Sequence, residues 1–259
     1  NTANLFSYFI EKGILLLNNR GSLAFIVPHS VSRVDGYRYI RKYINDNSTL
    51  WQVVDEYDQF NNVTLEMVTL FCSKNTKKPK YIKSLSNREN KVYKMPNNIY
   101  DESGYYPIYY DEIYKKMSQN AIGKIGGFRG SELDENENGN ILYIGGKNVK
   151  AYNIETGHKE YFVSKQGTEL KKEEIVITQF GASPRGTIIN TDDIAPSGGC
   201  VVITHTDDLL PKVVLALINS SAIKYFFDRY IVNNAGLTVH LDGHYLKKIP
   251  IPEISILEQ

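Results

Sequence analysis

Ser22-Leu23-Ala24-Phe25-Ile26-Val27-Pro28 is an unbroken apolar run closed by a proline, and its reading decides the fold class. Continuous Leu/Ile/Val/Phe runs without polar alternation are expected of strands buried on both faces of a parallel sheet. Upstream, Leu5, Phe9, Leu16 and Leu17 recur near a 3.6-residue period, predicting a helix from about Ala3 to Asn18 that ends at Asn19-Arg20-Gly21. Downstream, Val34, Tyr37, Ile40 and Ile44 mark the apolar side of a second helix over Arg33–Asn47, with Arg33, Arg38, Arg41 and Lys42 mostly on the other side. Two strand-like runs follow, 50–57 and 63–73, separated by Asp58-Gln59-Phe60-Asn61-Asn62. Helix, strand, helix, strand, strand predicts part of an α/β layered domain. Three strands leave much apolar surface uncovered, so this portion is expected to be a fragment or to need a partner.

The chain has 259 residues, 42% of them hydrophobic and 23% charged, with a net charge of +1. That apolar content excludes an intrinsically disordered chain. The most apolar opening segment, Leu5 to Leu17, is interrupted by Glu11 and Lys12, so neither a membrane span nor a signal peptide is expected. Two cysteines, Cys72 and Cys200, are too few for a disulfide framework or a cysteine zinc site, which points to a reducing cytoplasm.

The near-neutral total hides a local excess. Lys74, Lys77, Lys78, Lys80, Lys83, Arg88, Lys91 and Lys94 face one acid, Glu89. Two readings stand: a solvated linker over 74–104, or a stretch lying along a phosphate backbone. Beyond it, tyrosines crowd 100–114, expected to be structural packing rather than a stacking platform. Short β-type runs then punctuate the chain at 141–144, 159–164, 174–179, 186–190 and 200–204, predicting a twisted antiparallel sheet. Pro211 opens a helix to Asn219 with Asp207 or Asp208 as its cap, a second helix spans 221–232, and Leu246–Pro252 is expected to be extended.

In this order the pieces resemble the carboxy-terminal part of TaqI-like adenine-N6 DNA methyltransferases of restriction-modification systems. The first 73 residues carry the helix, Gly21 turn, strand ending Val27-Pro28, helix, strand, Phe60 loop and Val-rich strand. The second region carries Tyr143–Val149, Ile175–Gln179, Ala182–Thr187, Leu215–Ser220, Leu237–Val239 and Leu246–Pro252, which also resemble a recognition unit of type I specificity subunits. The resemblance implies a partial Rossmann-like methyltransferase sheet over 1–73, a basic linker over 74–104, and an α+β target-recognition domain over 105–259 with C-terminal helices. It implies double-stranded DNA held between the two domains, S-adenosyl-L-methionine in a full-length parent, an N-terminal methyltransferase half as partner, and possible fusion to a nuclease.

One departure matters. The family's Gly-rich methyl-donor loop and its Asn/Asp-Pro-Pro-Tyr/Phe tetrapeptide are not in this sequence, whose nine prolines include no Pro-Pro pair. The chain by itself is expected to be inactive in methyl transfer, with no catalytic residue among those present.

Within the resemblance, Phe60 matches the loop aromatic that stacks on a flipped adenine, against the plain reading of a hydrophobic plug. Lys147 and Asn148 lie in a Gly-Gly-Lys-Asn loop suited to phosphate, guanine or adenine edges, against an ordinary hairpin turn. Lys150 is a phosphate contact at the same edge. Gln179, Arg185 and Thr187 frame a second loop in which an Arg fork suits guanine O6 and N7, against a surface turn with a solvated Arg. Arg129, in Gly126–Gly130, has a similar setting. His240 and His244 are four apart but lack completing ligands, so no metal is expected. A non-catalytic specificity subunit and an unrelated α/β enzyme or scaffold are the rival classes, the latter favoured by the near-neutral charge.

Overall fold

The computed structural model describes residues 4–57, 65–100, 104–120, 122–156, 161–165, 167, 173–181, 184–190, 192–233, 239–241 and 243–253. It divides into two compact units. Unit 1 holds Asn1–Lys115 together with Arg229–Gly236, and unit 2 holds Lys116–Asp228 and Leu237–Gln259.

Unit 1 is a five-stranded mixed sheet with α1 (Leu5–Leu16) and α2 (Arg38–Asn47). Its strands are β1 (Ser22–Pro28), β2 (Thr49–Tyr57), β3 (Met67–Ser73), β4 (Tyr81–Ser86) and β5 (Lys91–Pro96), in the order β1-β3-β2-β4-β5. Asn4 caps α1 by accepting from Phe6 N–H, and Ile10 and Ile14 supply its buried side. Before α2 the chain makes two short 3₁₀ turns, His29–Ser32 and Asp35–Tyr37, so the helix starts five residues later than the periodicity suggests.

Two expectations need correction here. The β1 run is not a strand buried on both faces of a parallel sheet. It is an edge strand pairing antiparallel with β3, its burial alternates, and Ile26 is 48% exposed. The one parallel pair in this sheet is β2 with β4. Second, the segment 74–104 is not a linker throughout, because β4 and β5 form an antiparallel hairpin within the sheet. Ile82, Ser84, Tyr93 and Met95 are buried while Lys83 and Lys94 point outward. That period-2 alternation was masked by the lysines and by Pro79 and Pro96.

The interior of unit 1 is rich in tyrosine, as expected for structural packing. Tyr105, Tyr106, Ile108 and Tyr109 are buried, and the Tyr109 ring meets Tyr93 edge-on. The returning segment closes this core. Buried Asn233 donates to Ser32 Oγ and to the Tyr106 carbonyl, both at 3.0 Å, and accepts from Ile108 N–H. Arg229 reaches Glu89 and Asp111 and stacks its guanidinium 4.8 Å from the Tyr109 ring centroid.

The chain passes into unit 2 through the short helix α3 (Glu112–Met117). A four-stranded antiparallel sheet runs β13 (Gly186–Ile189), β11 (Glu174–Thr178), β15 (Cys200–His205), β6 (Ile125–Arg129). A three-stranded sheet runs β10 (Tyr161–Val163), β7 (Ile141–Ile144), β14 (Ile194–Pro196). Two small ribbons pair β8 (Val149–Lys150) with β9 (Asn153–Ile154), and β12 (Phe180–Gly181) with β16 (Val239–His240). Ile144, Val149, Val176, Ile189, Cys200 and Val202 form a buried cluster shared by these elements.

Helices α4 (Pro211–Asn219) and α5 (Ser221–Phe226) follow, then a π-type turn over Phe227–Ile231, and α6 (Gly243–Leu246) packs on β6. Pro211 takes the first turn of α4 as expected, but the cap residue is Leu210 and no side chain caps it. Asp208 instead pairs with Lys124 at 2.5 Å. The stretch from Leu246 is also not extended from its start, since α6 reaches Leu246 and Lys248 N–H closes on the Tyr245 carbonyl.

Candidate functional site

Of the sequence-selected residues of unit 2, Arg129, Gln179 and the loop bearing Lys147 and Asn148 meet a turn that the sequence reading passed over, Ser197-Gly198-Gly199. Ser197 N–H donates to the Ile144 carbonyl at 2.8 Å and anchors the turn at the end of β7. From β6, Arg129 Nε donates to the Gly198 carbonyl at 2.6 Å, while its Nη2 pairs with Glu132 at 2.6 Å. Gln179 N–H donates to the Gly199 carbonyl at 2.9 Å. Gly146 lies so close that a Cβ there would stand 2.7 Å from the Gly199 oxygen and 3.2 Å from Thr178 Oγ1, which explains the glycine. The signal available was Pro196-Ser197-Gly198-Gly199 itself, a strong turn marker between two strands.

The 145–148 loop holds its shape by its own hydrogen bonds. Asn148 Oδ1 accepts from Gly145 N–H and its Nδ2 donates to the Glu155 carbonyl, both at 3.0 Å, so its amide is engaged in the turn. That leaves Lys147 exposed at the tip. Lys150 pairs with Glu155 at 2.9 Å. Arg185 is exposed, and its carbonyl accepts from Thr178 N–H. Thr187 is buried within β13 opposite Val176, away from the exposed tips.

Gln179 is different in kind. It is 8% exposed, and among the described residues its Oε1 has no hydrogen-bond partner. A buried amide oxygen left unsatisfied costs about 1–3 kcal/mol. Its carbonyl accepts from Leu241 N–H at 2.6 Å, which ties the β12–β16 ribbon to this edge. Beside these groups Cys200 is buried and its thiol is pushed up to about 12 by desolvation, so it is a packing residue and not a nucleophile.

In unit 1, Phe60 lies outside the described residues, but the strand ends flanking its loop are visible. Arg88, from the β4–β5 turn, pairs with Glu66 at 2.8 Å and lies 4.2 Å over the Tyr57 ring. Buried Asp55 accepts from Tyr109 Oη at 2.6 Å, and its carboxyl is raised by desolvation despite that bond. His29, just after β1, is buried, with desolvation and then Arg33 and Arg88 lowering it to about 3. These are chemically unusual groups gathered at one end of β1, β2 and β3.

A methyl-donor site does not fit the residues present. The nearest approach to a Gly-rich loop, Gly123–Gly130, is largely strand β6, where a Cβ on Gly127 would stand 2.7 Å from Val201 Cγ1 and 2.9 Å from the Val202 carbonyl. These glycines serve close strand packing and do not form a cradle open to a nucleotide. Among the described residues no group of three His, Cys, Asp or Glu is placed to hold a metal, and no helix is long and apolar enough to cross a membrane.

Comparison with known proteins agrees with the resemblance drawn from the sequence. Residues 141–251 match the TaqI-like C-terminal specificity domain, and residues 1–62 match the Eco57I restriction-modification methylase. No curated protein matches. Among solved structures, the type IIL restriction-modification enzyme MmeI, solved in complex with DNA, aligns over 98% of this chain and 40% of its own, at TM-score 0.50 and 9% identity. The type IIG restriction endonuclease BpuSI aligns over 99% of this chain and 43% of its own, at TM-score 0.43 and 11% identity. The chain thus spans about two-fifths of the length of these structures. The two matched segments lie in order along the chain, the one similar to a restriction-modification methylase preceding the one similar to a specificity domain.

Proposed function

From these two matched segments as premise, we propose that the chain is the DNA-recognition portion of a site-specific adenine-N6 DNA methyltransferase. Unit 1 is the distal part of the S-adenosyl-L-methionine-dependent fold, and the methyl-donor loop and catalytic tetrapeptide belong to an N-terminal half. Unit 2 reads duplex DNA. The observation that carries this reading is the shared anchoring of Arg129, Gln179 and the 145–148 loop on the Ser197–Gly199 turn, with Lys147 and Arg185 exposed on the adjoining loops. Loops offering Arg and Lys side chains to solvent suit direct readout, because phosphate contacts fix register and forked donors distinguish base edges. The Gln179 Oε1, without a partner among the described residues, is in this reading a group that the docked duplex satisfies. Phe60 is the aromatic on which the extruded adenine stacks, which helps offset an unstacking cost of a few kcal/mol.

Fluorescence anisotropy with a panel of duplexes tests the reading. Lys147→Ala and Arg185→Ala each reduce discrimination between preferred and other duplexes by about 1–3 kcal/mol. Retention of no duplex at low salt, or discrimination unchanged in both variants, overturns it.

A further inference from the structure

We propose that the outward face of the β4–β5 hairpin in unit 1 is a phosphate-contacting surface for duplex DNA; this rests on the DNA-binding reading above. Strand alternation puts Tyr81, Lys83 and Leu85 of β4 and Val92, Lys94 and Pro96 of β5 on one face, and buries Ile82, Ser84, Ser86, Tyr93 and Met95 on the other. The register sets Lys83 directly opposite Lys94. Like charges in that position destabilise a sheet, so folding alone does not account for the pair. Lys80 adds a third ammonium, 5.2 Å from the Tyr81 ring centroid.

Nothing within the run neutralises this face. Lys77, Lys80, Lys83 and Lys94 are exposed, and none has a carboxylate within salt-bridge distance among the described residues. The run's one acid, Glu89, is held by Arg229 and Tyr93, and Arg88 is held by Glu66. Lysines do protect exposed strand edges against unwanted pairing, which accounts for Lys94 on the edge strand β5. It does not account for Lys83, because β4 is an inner strand paired with β2 and β5. A cluster of ammonium groups without carboxylate partners, beside an exposed tyrosine, is complementary to a polyanion. A DNA backbone is such a polyanion, and it gains affinity by releasing counterions to each cation that docks.

The test uses the full chain and its Lys83→Gln/Lys94→Gln and Lys83→Arg/Lys94→Arg variants, measured by anisotropy on a preferred and a random duplex over a KCl series. Each lost phosphate contact lowers the slope of log K against log salt by about 0.9. The Gln pair should therefore flatten the slope by about 1–2 and weaken both duplexes by the same factor, with melting temperature unchanged or higher. The Arg pair should keep the original slope. An unchanged slope with the Gln pair, or weakening confined to one duplex, overturns the proposal while leaving recognition by unit 2 intact. Lysine-dependent binding to anionic vesicles or an acidic peptide, with the DNA slope unaffected, also overturns it. Failure of the unsubstituted chain to retain any duplex removes the underlying reading as well.

Discussion

Arg41 shows how a buried charge can tie separate stretches of backbone into one core. It is 0% exposed, and its guanidinium donates to the carbonyls of Gly104, Val31 and Val34 at 3.0, 2.9 and 2.8 Å. Periodicity placed Arg41 on the polar side of α2, because sequence spacing cannot show that the chain folds three backbone carbonyls around its guanidinium. Arg41→Ala should destabilise unit 1 by about 3 kcal/mol or more, since it strands buried acceptors and opens a cavity. Trp51, the chain's one tryptophan, lies in β2 against Phe71 and reports this by fluorescence during urea unfolding. His29 gives a pH signature at the same scale. Its folded pKa is lowered from 6.5 to about 3, so the unfolded chain binds the extra proton first, and stability falls as pH drops below 6.5. Asp55, raised by burial, acts in the opposite sense at lower pH. Lowering pH from 7.5 to 5.5 should therefore cost unit 1 about 1 kcal/mol, and His29→Asn should remove that loss. A variant with the same pH slope as the parent would exclude His29 as its source.

At the scale of elements, legibility followed burial pattern. Helices α1, α2 and α4 were readable from recurring apolar positions or a proline start, and strands β2, β3, β7, β11, β13 and β15 as apolar β-type runs bounded by turn residues. The β4–β5 hairpin was not, because a charge count over Lys74–Lys94 averages away an alternation that only a residue-by-residue reading keeps. Of the site, the loops bearing Lys147 and Arg185 were legible as glycine-rich turns. Their common anchor was not, since Gly198 and Gly199 act through carbonyls that every residue possesses. That anchor is testable by glycine replacement. A Cβ on Gly130 meets the backbone of Pro196 and Ser197, whereas one on Gly198 meets the flexible side chains of Glu132 and Arg129. Gly130→Ala should thus lower the stability of unit 2 by about 1–3 kcal/mol, the usual range for overpacking, with Gly198→Ala costing clearly less. Calorimetry on both variants checks the order, and equal costs would remove the distinction between rigid and yielding neighbours.

For the whole molecule, the division into units does not follow the chain. The polypeptide leaves unit 1 after Lys115, comes back for Arg229–Gly236, and leaves again. The expectation of domains in simple succession rests on composition shifts, and eight returning residues shift no composition. Asn233 concentrates the effect, with a φ of 53°, three hydrogen bonds and 0% exposure. Asn233→Ala loses those bonds and takes on left-handed strain, so unit 1 should lose about 2–4 kcal/mol while unit 2 is little changed. Trp51 fluorescence and hydrogen exchange of β11 and β15 amides separate the two responses. Loss of protection in both units together would contradict the assignment.

The same return sets a timetable for synthesis. A nascent chain can pair β1 through β5 soon after they leave the ribosome, yet the Ser32 hydroxyl and the Tyr106 carbonyl wait for an amide that lies 201 and 127 positions further on. Unit 1 is therefore completed only after most of unit 2 has been made. Premature termination anywhere before residue 233 leaves both units unfinished, because unit 1 takes its closing clasp from residues that follow most of unit 2 in the chain.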